Sequence, residues 1–207
     1  MTTILQINSS LHGDDALSSR LAGEFVQALR DGTAPGETNA AGPVVVLRDL
    51  AREPVSHLTA ERFEAFSTPA TQRTPWQQQA VAESDRLIAE LQAAEVVIIG
   101  LPMYNFGVPS TLKAYFDHVA RAGVTFRYTA EGPEGLLAGK KAYVFATRGG
   151  RYAGTPSDLQ TAYVRQFLGF LGIRDVVFVY AEGLALGTAQ RDAAVAHASA
   201  RIGDLAA

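Results

Sequence analysis

Residues 94–119, AEVVIIGLPMYNFGVPSTLKAYFDHV, contain the clearest strand-to-helix transition in this 207-residue chain. The apolar run at 96–99 is typical of a strand covered on both faces, and the apolar spacing over 110–120 predicts a helix. A Met-Tyr-Asn-Phe run stands between them, bracketed by Pro102 and Pro109, where a short polar turn would be ordinary. Because prolines stiffen the backbone, this stretch predicts a rigid loop that faces a ligand.

The strand-then-helix pattern recurs along the whole chain. Strands are predicted at residues 3–8, 44–47, 96–99, 142–146 and 176–180. Helices are predicted at residues 18–30, 60–66, 75–92, 110–120, 158–171 and 188–202. A Gly-, Pro- and Ala-rich loop is expected at 31–43 and a surface hairpin at 124–135. Such alternation predicts one α/β domain over residues 1–207, with a parallel sheet and helices on both faces.

Composition excludes several classes of protein. The net charge of −3 gives no broad basic field, which argues against a nucleic-acid partner. The chain contains no cysteine, so disulfide frameworks and thiolate chemistry are excluded. We see neither a secretory leader nor an apolar run long enough to span a membrane. These features predict a cytoplasmic protein that does not act at a membrane.

In doubly wound folds, ligands bind beyond the carboxyl ends of the strands, so the loops there carry the information. The first is NSSLHGDDALSSR, residues 8–20. Its serines and the free N–H groups of the following helix suit a phosphate, although an ordinary capped loop would look similar. Neither a GxxxxGK[ST] nor a GxGxxG motif is present.

The loops after the third and fourth strands suit a planar aromatic ligand. Met103, Tyr104 and Phe106 offer one flat face, and Asn105 offers an amide to a polar edge. The alternative is that Met103 and Phe106 only cap the core.

In ATRGGRYAGTPSD, residues 146–158, the pair Gly149-Gly150 permits close backbone approach, and Arg148 adds positive charge. A simple Gly-Gly turn with a surface arginine is the alternative.

Other chemistries find no support at the required positions. The histidines lie at 12, 57, 118 and 197, without metal-ligand spacing, so no metal site is predicted. There is no G-x-S-x-G elbow for a serine hydrolase. A phospho-acceptor aspartate is missing after the third strand, where Gly100-Leu101-Pro102 stands.

Three segments resemble the FMN-dependent NADH:quinone oxidoreductases, also called azoreductases. The clearest is PMYNFGVPSTLKAYFDHVARAGVTFRYTAEGPEGLLAGKKAYVFATRGG, residues 102–150. FLGFLGIRDVVFVYAEG, residues 167–183, continues it, and INSSLHGDDALSSRLA, residues 7–22, carries it more weakly. The resemblance implies a flavodoxin-like fold with strand order 2-1-3-4-5, non-covalent FMN at the strand ends, and a homodimer.

The same resemblance implies roles for individual residues. Those implied at the FMN phosphate are Ser10, Ala16, Leu17 and Ser18. Ala16 stands where a serine is usual, so Ser19 or a backbone amide would take its place. Those implied along the flavin ring are Met103, Tyr104, Asn105, Phe106, Thr147, Arg148, Gly149 and Gly150. Thr147 replaces a frequent serine, Tyr152 stands where several relatives have histidine, and Phe126 and Phe170 would wall the substrate side.

The implied reaction transfers a hydride from NADH or NADPH to FMN, then two electrons to a quinone or azo compound, in a ping-pong scheme. No catalytic side chain is predicted, with Asn105 and Arg148 as supporting groups, because the cofactor carries the chemistry. The rival interpretation is a flavodoxin-type electron carrier or a flavin-binding regulator without turnover. The modest net charge and the added hairpin at 124–135 favour the enzyme.

Overall fold

The computed structural model describes residues 2–32 and 42–206 of the chain. The predicted loop at 31–43 therefore lies largely outside the described residues. The strands are β1 Thr3–Asn8, β2 Val44–Asp49, β3 Val96–Pro102, β4 Phe126–Thr129, β5 Gly132–Gly135, β6 Lys141–Thr147 and β7 Asp175–Ala181. The helices are α1 Leu17–Asp31, α2 Ala60–Ser67, α3 Pro75–Ala93, α4 Ser110–Val119, α5 Leu159–Phe170 and α6 Thr188–Ala206.

Five parallel strands form the central sheet in the order β2-β1-β3-β6-β7. Because β4 and β5 form a separate hairpin, this is the predicted order 2-1-3-4-5, and the fold prediction is confirmed. Among the strands, the largest boundary error is in the third, which continues past residue 99 to Pro102, and the last helix continues past residue 202 to Ala206. The order reverses between β1 and β3, which is the switch point where ligands of this architecture bind.

Two apolar clusters cover the two faces of the sheet. On one face, Ile4 and Ile98 pack with Phe25 of α1 and Ile202 of α6. The opposite face packs against α3, α4 and α5, through residues that include Leu87, Leu91, Leu112, Phe116, Val164 and Leu168. Within the described residues, no helix is both long and apolar enough to cross a bilayer.

The β4–β5 hairpin docks at the amino-terminal end of the sheet. The N–H of Leu137 donates to the carbonyl of Leu171, directly after α5. α5 runs from the carboxyl end of β6 toward the amino end of β7, and its 12 residues span about 18 Å. The hairpin base therefore lies at the opposite end of the sheet from the loops that carry the predicted site.

Candidate functional site

Three strands bring their following loops together at the carboxyl edge of the sheet. Asn8 of β1 is paired with Gly100 of β3, and Pro102 with Thr147 of β6. The ladder continues one step further, since the N–H of Met103 donates to the Thr147 carbonyl over 2.9 Å. The predicted loops therefore start from a rigid, shared base.

The first turn of α1 has the features of an anion site. Its N-cap residue, Ala16, makes no side-chain capping bond, so the first N–H groups remain available. Ser18 and Ser19 are buried, and their hydroxyl oxygens have no hydrogen-bond partner among the described residues. Buried hydroxyls normally have partners, so two unpaired hydroxyls at a helix N-terminus fit a missing phosphate.

Gly100 allows α1 to start close to the sheet. A Cβ added to Gly100 would lie 3.0 Å from the backbone oxygen of Ser18. A side chain at this position would therefore push the first turn of α1 outward. The lack of a side chain at Gly100 thus determines where the anion site lies relative to the loop at 103–106.

A hydroxyl pair joins the first loop to the loop after β3. The Ser10 hydroxyl and the Tyr104 hydroxyl lie 3.1 Å apart. Tyr104 also accepts the N–H of Leu11, and Ser10 accepts the N–H of His12. Ser10 and Tyr104, both predicted to contact one ligand, therefore lie together. Their contact connects the loop beside the anion site to the loop at 103–106.

The loop after β3 contains a tight, strained turn. Tyr104 and Gly107 exchange two backbone hydrogen bonds, of 3.2 and 3.0 Å. Between them, Asn105 and Phe106 have φ of 49° and 65°, and they are the only non-glycine residues with positive φ in the described ranges. Asn tolerates this region, whereas Phe rarely adopts it. Strain of this kind is typical of ligand-binding loops, and it exposes half of the Phe106 side chain.

Gln160 of α5 clamps this turn, a role that the sequence pattern does not predict. Its side-chain N–H groups donate to the carbonyls of Pro102 and Gly107, over 2.9 and 3.1 Å. Gln160 is almost wholly buried. A single glutamine on a helix carries no recognisable signal, because only the tertiary fold brings α5 beside the loop.

The Gly149-Gly150 turn presents free donors. The carbonyls of Gly149 and Gly150 accept the N–H groups of Ala185 and Gly183. By contrast, neither glycine N–H donates to any residue that the structure describes. Tyr152 folds over Gly150, and its ring meets the Phe106 ring edge-on at 5.6 Å. The loop after β3 and the loop after β6 are therefore in contact.

Arg148 does not present its charge to this cleft, which corrects the prediction. Its side chain is fully buried, with Nη2 2.9 Å from Asp158 and Nη1 3.1 Å from Glu182. Glu182 also accepts the N–H groups of Tyr152 and Ala153. Burial alone would raise the pKa of Asp158, but hydrogen bonds from Arg148 and Thr161 outweigh it and lower that pKa. Arg148 therefore holds the loop in place from behind.

Phe126 and Phe170 lie far from the ligand-facing loops of their own chain. Their ring centroids are 4.4 Å apart, and Phe126 is buried. Phe170 is the last residue of α5, at the hairpin end of the sheet. One chain alone thus does not assemble the predicted substrate wall, because α5 carries Phe170 about 16 Å from the helix start beside Gly107.

A largely apolar cavity of about 530 Å³ opens beside the strained turn. Its lining includes His57, Asn105, Phe106, Val108, Leu159 and Tyr163. Leu159 and Phe106 are exposed apolar side chains at its rim. The cavity is large enough for a small aromatic molecule, and it adjoins the polar donors on the loops.

A sheet in this order, with an anion site at the switch point, defines the flavodoxin-like class of α/β proteins. The family model described as "Flavodoxin-like fold" matches residues 2–205, so the chain belongs to that family. An azoreductase from Bacillus anthracis is similar to the whole chain, with a TM-score of 0.87, 26% identity and 99% of its own length covered.

Closer relatives narrow the family. The "FMN-dependent NADH:quinone oxidoreductase" of Cellvibrio japonicus is 54% identical over 202 residues, which cover 98% of this chain and 97% of the relative. A protein of the same name from Burkholderia pseudomallei is 56% identical over 187 residues, covering 90% and 91%. The chain is therefore a member of the FMN-dependent NADH:quinone oxidoreductase family.

Proposed function

We propose that this protein is an FMN-dependent enzyme that uses NADH to reduce quinones, and also cleaves azo compounds to amines. The observation that carries the proposal is that the buried hydroxyls of Ser18 and Ser19 have no partner among the described residues and lie beside an aromatic cleft at the sheet's switch point. The names of the close relatives support the donor and the acceptor. NADPH is the alternative donor, and the cytoplasm, where NADH is available, is the proposed location.

FMN fits the residues present. Ser10, Ser18 and Ser19 would hold its phosphate with the first N–H groups of α1. Met103 to Phe106 would lie along its ring, and the free N–H groups of Gly149 and Gly150 would donate to its polar edge. When bound, FMN supplies two-electron hydride chemistry. Free backbone donors aimed at a fixed position stabilise negative charge that develops there.

The side chains of the protein orient and shield the reactants. The cavity beside Phe106 would hold the nicotinamide first and the acceptor afterwards, and this alternation would give a ping-pong order. Its largely apolar lining suits a planar aromatic reactant, and Phe106 offers a ring edge or face for stacking. Gln160 and Tyr104 keep the turn from relaxing when one reactant leaves.

A homodimer would complete the substrate wall. The cavity is open on one side, where Phe106 and Leu159 are exposed. Apolar surface of this kind favours association. A second copy that covered this side would bring its own Phe126–Phe170 pair to the cavity, which one chain does not achieve. Sedimentation equilibrium would test the dimer, and a monomer with full activity would refute it.

Measurements on one preparation of the purified protein would distinguish an enzyme from an electron carrier. We expect the purified protein to be yellow and to release FMN on denaturation. Under anaerobic conditions it should then oxidise NADH catalytically only when a quinone is present, with parallel lines in double-reciprocal plots of the initial rates. Bound FMN without NADH turnover would instead support the carrier, and colourless protein that ignores added FMN would contradict both.

Replacing Asn105 by leucine should slow hydride transfer more than it weakens FMN retention. A leucine at φ 49° would be strained and would crowd the cleft, and the amide proposed to face the ring edge would be lost. Asn105→Gly is the matched control, since glycine adopts this φ without strain. Stopped-flow reduction and flavin content measure the two effects. If the leucine variant lost its flavin while turnover per bound FMN stayed normal, the role assigned to Asn105 would be wrong.

Replacing Ser18 by alanine should weaken FMN binding about tenfold, the value of one hydrogen bond to a charged group. The FMN-free protein should not lose stability, because the hydroxyl has no partner among the described residues. Flavin fluorescence titration and urea unfolding measure the two quantities. A variant that bound FMN normally but unfolded more easily would show that Ser18 is structural.

A further inference from the structure

His118 of α4 is a fully buried histidine that the proposed function does not use. Its Nε2 lies 3.0 Å from the carbonyl oxygen of Ser56, in the connection between β2 and α2. Since a carbonyl only accepts, Nε2 carries the proton. Nδ1 is buried without a partner among the described residues. His118 is thus a neutral donor with a single, defined acceptor.

The acceptor belongs to the segment that walls the proposed quinone cavity. Ser56 directly precedes His57, and His57 lines the 530 Å³ cavity together with Asn105 and Phe106. Val55 packs on the main apolar cluster, so the chain passes from the core to the cavity wall between residues 55 and 57. Both Ser56 and His57 are themselves exposed. The bond to His118 is therefore a polar anchor for the part of the cavity wall that His57 forms.

Neighbouring groups hold His118 in place. Its backbone carbonyl accepts the hydroxyl of Ser84 in α3 over 2.6 Å. The ring meets Phe66 of α2 edge-on at 6.0 Å, and Arg121 stacks on Phe66 while pairing with Asp85. The histidine thus joins α2, α3 and α4 to the wall segment at one point.

We propose that His118 is a positioning residue that, through Ser56, fixes residues 55–58 and so sets which quinones fit the cavity. The proposal rests on the proposed quinone reductase function. Because α4 also carries the strained turn at its start, one helix then fixes both sides of the cavity. Loss of the hydrogen bond between His118 and Ser56 frees the cavity wall at His57 and leaves the wall at Phe106 in place.

The charges around the ring favour its neutral form. Burial lowers the pKa of His118, and Arg62 of α2 acts in the same direction. The Ser56 carbonyl, Glu83 and Asp117 act against them, and the Arg121–Asp85 pair lies nearby. Protonation would place a second N–H, on Nδ1, in a buried site without an acceptor. Acid should therefore loosen the segment as the pH falls below about 6.5, the ordinary value for histidine.

The test compares three variants of the FMN-loaded protein. His118→Leu removes the donor, His118→Gln retains one of similar reach, and Tyr115→Phe removes another buried polar atom of α4 that has no partner among the described residues. For the leucine variant we expect about a fivefold shift in the ratio of kcat/KM between a naphthoquinone and a benzoquinone, toward the larger. FMN content and the rate of reduction by NADH should not change. The glutamine and phenylalanine variants should keep the wild-type ratio.

Limited digestion with thermolysin, which cleaves on the amino side of Val55 and Leu58, gives a readout independent of turnover. Cleavage at these residues should be about fivefold faster in His118→Leu than in wild type, and His118→Gln should restore the wild-type rate. In wild type, cleavage corrected for the pH dependence of the protease itself should become faster below pH 6.5. An unchanged quinone ratio together with unchanged cleavage would overturn the proposal, even if the melting temperature dropped. If wild type does not reduce quinones, the proposed function fails, whereas the cleavage result still decides the anchor.

Discussion

Replacing Arg148 by methionine should destabilise the protein by roughly 3–5 kcal/mol, the usual cost of removing one partner from a buried ion pair. The guanidinium is fully buried and contacts both Asp158 and Glu182. Without it, two carboxylates share a poorly solvated site. FMN affinity should fall as well, since Glu182 also holds the N–H groups of Tyr152 and Ala153.

Urea unfolding of the FMN-free protein measures the first effect, and flavin titration measures the second. The matched control is the triple variant Arg148→Met, Asp158→Asn, Glu182→Gln, which removes the charges together and should regain a large part of the lost stability. Arg148→Lys should be intermediate, because an ammonium cannot reproduce the fork that reaches both carboxylates. A loss below about 1 kcal/mol for Arg148→Met would mean that the site is better hydrated than its burial indicates.

Arg148 also shows what sequence reasoning can and cannot supply. An arginine before Gly-Gly at a strand end predicts a charge near the ligand, and the position of the loop is correct. The direction of the side chain depends on Asp158 and Glu182, which lie 10 and 34 residues further along the chain. Their carboxylates are recognisable as partners only when α5 and β7 are placed beside β6.

The elements that were predictable are those with strong local signals. Strands β3, β6 and β7 contain the apolar runs VVII, AYVFA and VVFVY, and β1 is mostly apolar apart from Gln6. The Met-Tyr-Asn-Phe loop was identified because its composition is unusual for a turn. The strained dihedrals of Asn105 and Phe106, by contrast, arise from the Tyr104–Gly107 bonds and the Gln160 clamp. Such strain has no local signature, since phenylalanine is a poor choice for that position.

The Phe126–Phe170 pair illustrates the limit for long-range placement. Both residues were matched to a substrate wall by resemblance, which carries no information about the chain that supplies them. The direction of α5 separates them from the cavity of their own chain. Their position therefore links the predicted substrate wall to the predicted homodimer, and the hairpin that holds Phe126 offers a way to test both.

Replacing Gly135 by alanine should destabilise the protein by roughly 3 kcal/mol or more. Gly135 ends β5 where the hairpin crosses the turn after α5. An added Cβ would overlap the backbone nitrogen of Gly172 and the carbonyl carbon of Leu171, and would lie 2.6 Å from Gly172 Cα. Backbone atoms cannot rotate away, and Gly172 itself sits at φ 100°, so the hairpin must move.

Gly169→Ala is the matched control, because an added Cβ there meets nothing within 4 Å and alanine favours a helix. It should keep or slightly raise stability in urea unfolding. The Gly135→Ala variant then distinguishes the proposed FMN site from the proposed substrate wall of a dimer. FMN content of Gly135→Ala should stay near wild type, since the hairpin lies at the far end of the sheet from Ser18 and Gly150. If a second copy supplies Phe126 and Phe170, quinone turnover per bound FMN should nevertheless fall. Normal turnover in a folded, flavin-loaded Gly135→Ala variant would instead show that the Phe126–Phe170 pair does not form the substrate wall.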